Sequence, residues 1–151
     1  MSSARKANPP SLALIEHQQL VRSTVAGVVR QLVLARVIEF SRVDNAVRHL
    51  EAAPVEGLFI TLDDEGEAMR MLARLREGGF RCATDIPVAV MAAGLDAASA
   101  ASLRELGVRR VLLKPFKVKA AIETISSLWT PVPAVVPSLR PSELAEPIDL
   151  G

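Results

Sequence analysis

The sequence predicts an α/β domain, a doubly wound five-stranded parallel sheet with helices on both faces. Three observations predict it. Short apolar runs of strand length alternate strictly with stripes of helical period, from Leu12 to Leu128. Several strand candidates, such as Leu12–Ile15 and Leu58–Ile60, are uninterrupted apolar runs, the pattern of strands buried on both faces. Connections of this length join parallel strands by right-handed crossovers, and an open sheet covered by helices on both sides satisfies all of them.

Each element has its own signal. Leu12–Ile15 suits a buried strand, and Leu20, Val21, Val25, Val28 and Leu32 mark a helix over 20–34. Val37–Phe40 is a second strand, followed by the stripe Val43, Ala46, Val47 and Leu50. Gly57–Leu62 is the third strand. Ala68, Met69, Leu72 and Leu75 place the third helix, closed by Gly78-Gly79. Pro87–Met91 and the helix Ala97–Leu106 follow, with Gly107 where a helix ends. Val111–Leu113 and Val118–Leu128 complete the alternation.

The ends differ in composition. Residues 1–10 read as a disordered lead-in, polar and without the apolar core of a signal peptide. Residues 130–151 contain Pro131, Pro133, Pro137, Pro141 and Pro147, which cannot sustain a helix or a central strand. A flexible tail is expected there, with the folded domain spanning 11–129. The chain has 151 residues, 50% of them hydrophobic, enough for one packed core. A net charge of +1 and only 3% aromatic residues argue against a nucleic-acid surface. No apolar run is long enough to span a membrane, so a cytoplasmic location is expected by default. Cys82 is alone, which excludes an internal disulfide and a cysteine metal knuckle.

Ligands of open α/β sheets sit beyond the carboxyl ends of the strands. Those positions carry Glu16 and His17 after the first strand, and Thr61, Leu62, Asp63 and Asp64 after the third. Ala92 and Ala93 follow the fourth, and Lys114-Pro115 the fifth. Acids and a lysine at one rim suit a hard cation and a phosphoryl group. The glycines lack the spacing of a phosphate-binding loop. No Ser/His/Asp or Cys/His set is evident, so no enzymatic activity is expected.

Three segments carry a resemblance. Ile15-Glu16-His17-Gln18-Gln19-Leu20-Val21-Arg22 is similar to the start of response-regulator receiver domains. Ile86-Pro87-Val88-Ala89-Val90-Met91-Ala92 resembles their fourth strand. Leu106 to Phe116, ending Lys114-Pro115-Phe116, resembles their approach to a conserved Lys-Pro turn. The resemblance runs from Leu12 to Leu128 and implies strand order 2-1-3-4-5. It also implies a pocket in which two acids hold Mg²⁺, an aspartate accepts phosphate, and a hydroxyl and a lysine contact the phosphoryl group. Matched position by position, this chain keeps Glu16 and Lys114. It has His17 for the second acid, Leu62 for the acceptor, Ala92 for the hydroxyl and Val111 for a strand-5 aromatic.

A degenerate phosphorylation pocket of Glu16, His17, Leu62, Ala92 and Lys114 is therefore expected, with Lys114 free to pair with Glu16 or Asp63. Asp63, one position on, is the candidate phosphoacceptor should the pairing slip by one residue. Only then would Mg²⁺ be expected, on Glu16 and Asp63; otherwise no cofactor is. Capping alone accounts for Asp63-Asp64-Glu65 before a helix. The function expected is an atypical stand-alone receiver of two-component signalling that is not phosphorylated. It would work by contact with a histidine kinase or output protein, or by self-association through helix 4, strand 5 and helix 5, with no nucleic-acid or membrane partner. The alternatives are a working receiver using Asp63, and a sensor whose arginines bind an anionic nucleotide.

Overall fold

The structure, a computed structural model, describes residues 8–130 and 148–150. Its elements run β1 (Ser11–Ile15), α1 (Gln19–Gln31), β2 (Arg36–Phe40), α2 (Val43–Ala52), β3 (Leu58–Thr61), α3 (Glu67–Arg76), β4 (Val88–Ala92), α4 (Ala97–Glu105), β5 (Arg110–Leu113), α5 (Val118–Ser126) and β6 (Ile148–Asp149). The first five strands are parallel, in the expected order 2-1-3-4-5. The expected α/β alternation is therefore present.

Strand parity sorts the core into two layers. Leu12, Leu14, Phe59, Ala89, Met91 and Leu112 pack under α1 and α5. Their neighbours Ala13, Ile15, Leu58, Ile60, Val88, Val90 and Val111 pack under α2, α3 and α4. Successive strand side chains point to opposite faces, so both faces must be apolar when helices cover both. Gly57, just before β3, admits the Trp129 ring: a Cβ there would sit 2.5 Å from it. The indole N–H donates to the Glu56 carbonyl at 2.9 Å.

Several boundaries, and one strand, depart from expectation. The first helix stops at Gln31 rather than Leu34, because Val33 adopts φ 54°, a left-handed conformation that a helix cannot include. The third strand ends at Thr61, leaving Leu62 outside it. The fifth helix gives way at Ser127 to a 3-10 turn, Ser127–Trp129. The sheet also has a sixth strand rather than five: β6 lies antiparallel on the β5 edge, within the segment expected to be a flexible tail. An antiparallel edge position tolerates a short strand between prolines and a chain end, whereas a central one would not.

The expected lead-in and tail fall largely outside the described residues, at 1–7 and 131–147. The end of the lead-in is tied down: the Pro9 and Pro10 carbonyls accept from Arg36 at 3.0 and 2.8 Å. Among the described residues, no helix is long and apolar enough to cross a membrane.

Candidate functional site

The carboxyl ends of β1, β3 and β5 meet at one rim, and parity decides which side chains meet there. Glu16 follows Leu14 by two residues, Thr61 follows Phe59 by two, and Lys114 follows Leu112 by two. All three therefore share the α1/α5 face of the sheet. The Glu16 carboxylate is 1% exposed, and Lys114 Nζ lies 2.5 Å from its Oε1. The Thr61 hydroxyl donates to the same oxygen. The Gln18 N–H donates to Oε2 at 2.8 Å. Burial alone would push the Glu16 carboxyl up, but the hydrogen bonds from Lys114, Thr61 and Gln18 outweigh it and hold the group below its ordinary value.

The main chain around this triad is equally committed. The Glu16 N–H donates to Phe40 at 3.0 Å, and its carbonyl accepts from Arg22 Nη1 at 2.8 Å. The Lys114 N–H donates to the Ala92 carbonyl at 2.8 Å, and Lys114-Pro115 is a cis peptide. Of the two partners that the sequence allows Lys114, the fold supplies Glu16.

At the end of β3 the two neighbours diverge. The Leu62 N–H donates to Met91 at 2.8 Å, and its half-buried side chain packs on the α2/α3/α4 core layer. Asp63 turns its carboxylate to α3, where Oδ2 accepts from the Glu67 N–H at 3.0 Å and Oδ1 from the Ala68 N–H at 2.8 Å. Desolvation works to raise its pKa, but these backbone donors prevail and lower it. The first N–H groups of a helix have no partner within the helix, and Asp63 supplies one for two of them.

A surface cleft of about 620 Å³ opens above this rim, lined by His17, Leu62, Asp63, Asp64, Ala93 and Lys114 among others. His17 stands over it with a side chain 71% exposed and Nδ1 3.5 Å from Glu16 Oε2. Ala92 is buried and brings no hydroxyl to the cleft, and Val111 is a core residue. Among the described residues, no hydrogen bond or ion pair joins Asp63 to Glu16 or Lys114.

The donor set does not fit Mg²⁺. This ion needs several accessible oxygens in near-octahedral array. Both Glu16 oxygens are engaged by protein donors, and both Asp63 oxygens cap a helix. Glu16 and Asp63, the ligands expected if Asp63 were the acceptor, share no hydrogen-bond partner among the described residues. No group of three acidic, histidine or cysteine side chains is placed to hold an ion among the described residues.

Two of the arginines that could serve an anionic nucleotide, Arg76 and Arg109, line one surface pocket beside Asp85. Arg76 donates to the Leu106, Thr84 and Ile86 carbonyls, and Arg109 to Leu128 and Thr130. Arg74 pairs with Glu51 and lies 4.3 Å over the Phe80 ring. Their hydrogen bonds and ion pairs are structural.

Thr61 has no role in the sequence reading, although it completes the triad. The parity of β3, counted from buried Phe59, carries the signal that would have found it.

No protein-family model matches the sequence, and no curated protein matches it. Solved structures do. A signal receiver domain of a two-component histidine kinase from Clostridium thermocellum superposes with a TM-score of 0.69 at 14% identity, covering 80% of this chain and 98% of its own. A response regulator from Thermotoga maritima gives 0.65 at 20% identity, covering 79% and 98%. A chemotaxis response regulator of Vibrio cholerae gives 0.69 at 11% identity, covering 80% and 98%. The chain thus has the receiver fold of two-component signalling proteins, in its flavodoxin-like 2-1-3-4-5 form.

Proposed function

We propose that this domain is an atypical receiver that signals without aspartyl phosphorylation and without enzymatic activity of its own. Its partners would be other signalling proteins, a histidine kinase or an output protein, or a second copy engaged through α4, β5 and α5. One observation carries the reading: the rim lysine is closed onto buried Glu16, while leucine stands where β3 ends. A phosphoryl group needs a nucleophilic carboxylate in the cleft and a cation free to meet the charge that develops on transfer. Here Glu16 and Lys114 satisfy one another, and Asp63 is engaged by the first N–H groups of α3.

A permanently paired triad also suits a constitutive surface. Breaking it would leave Glu16 charged and buried, so the rim holds one arrangement rather than two. Signalling by such a domain depends on which surface it presents.

The test is incubation with acetyl phosphate and Mg²⁺ followed by intact-mass spectrometry. No phosphoryl adduct is expected at concentrations that label a working receiver. A stoichiometric adduct that disappears in Asp63→Asn would overturn the reading and install Asp63 as the acceptor.

A further inference from the structure

The parallel sheet has edges at β2 and β5, and Ile148–Asp149 cover the β5 edge. Ile148 and Asp149 pair antiparallel with Val111 and Arg110. The Leu150 N–H donates to the Arg109 carbonyl at 3.0 Å, and the Leu150 side chain packs on the α2/α3/α4 core layer. We propose that Ile148–Leu150 is a built-in cover strand that keeps β5 from pairing with the β5 of a second copy.

Three features support this. A bare strand edge is a template for another strand, and proteins blunt it with charge, proline or a cover. Here β5 is Arg110-Val111-Leu112-Leu113 with no proline, and Lys114, the next charge along, is turned onto Glu16. Arg110 Nε is buried with no hydrogen-bond partner among the described residues, and the register sets an acidic residue, Asp149, opposite Arg110. Symmetry names the competitor. The cover runs antiparallel to β5, and a two-fold-related copy would bring its own β5 antiparallel to the same edge. The two therefore compete for the same N–H and C=O groups, and the cover, being attached to the chain, wins at ordinary concentrations.

The inference rests on the contact-based reading for α4–β5–α5 as the working face, and of the partners in that reading it sets aside the second copy for the full chain. Its measurement is separate from the phosphorylation assay, so either can fail alone.

The experiment compares the full chain, a chain ending at Pro147, and full-length Leu150→Pro by sedimentation across a concentration series. Leu150→Pro removes both the N–H donated to Arg109 and the leucine side chain packed on the core layer, while keeping the chain at full length. The full chain is expected to stay monomeric. The shortened chain should associate at least about tenfold more tightly, with Leu150→Pro shifted the same way. Hydrogen exchange should show β5 amides protected in the full chain at all concentrations, and in the shortened chain only where it is dimeric. A shortened chain that associates no more tightly than the full one overturns the proposal, whatever the protection of β5.

Discussion

The ends of β1 and β3 each carry a carboxylate, and the two are spent in opposite ways. Glu16 reaches across the sheet to Lys114, 98 residues away, and to Thr61, 45 residues away. Asp63 reaches only four and five residues along its own chain, to the first N–H groups of α3. One acid locks the tertiary structure and the other finishes a helix. The contrast shows how two acids at one rim can be engaged on quite different scales, one by partners far along the chain and one by its nearest neighbours.

The largest effect is expected from removing the cation. Lys114→Ala leaves Glu16 buried without its counter-charge and should cost about 3–5 kcal/mol, read by urea unfolding. Glu16→Gln should cost less, and a double-mutant cycle of the two should show strong coupling. If the two costs simply add, the pair does not hold the rim.

The pH dependence follows from the same bond. The Glu16 pKa is lower folded than unfolded, from an ordinary value of 4.5. Its contribution to stability is therefore fully present above that value, and is lost as pH falls through the depressed folded pKa. Glu16→Gln should flatten this part of the acid limb in a stability-versus-pH series, leaving the part due to the other carboxyls held low, Asp44, Asp63 and Asp96.

Thr61→Val is nearly isosteric and removes one donor to a charged acceptor, so a loss of about 1.5–3 kcal/mol is expected. A neutral result would place the burden of Glu16 on Lys114 alone. The smallest effect belongs to the local acid. Asp63→Ala should cost about 1 kcal/mol, and Asp63→Asn less, because asparagine also caps. A Lys114 or Glu16 substitution should add to it without coupling, since the sites share no partner.

Legibility in the sequence divides along the same line as the two acids. The cap at Asp63 was readable from three acids ahead of a helical stripe, because its partners are the next residues. The rim lysine was readable through the Lys114-Pro115-Phe116 turn, but its choice between Glu16 and Asp63 was not. The part played by Thr61 is not legible, because counting strand ends places residues at the rim without saying which face they take. The sixth strand was hidden for a different reason: prolines on its N-terminal side read as a tail, and a two-residue strand has too short a pattern to announce itself.

Periodicity, burial and turn chemistry act over a few residues, so the alternation of strands and helices, the two apolar faces of the sheet and the composition of the rim are all written in the chain order. The closure of Lys114 on Glu16 with Thr61 beside it, and the placement of Ile148–Leu150 on β5, come only with the assembled fold. Those pairings join residues far apart in the chain. They depend on strand register and parity, which arise when the sheet assembles.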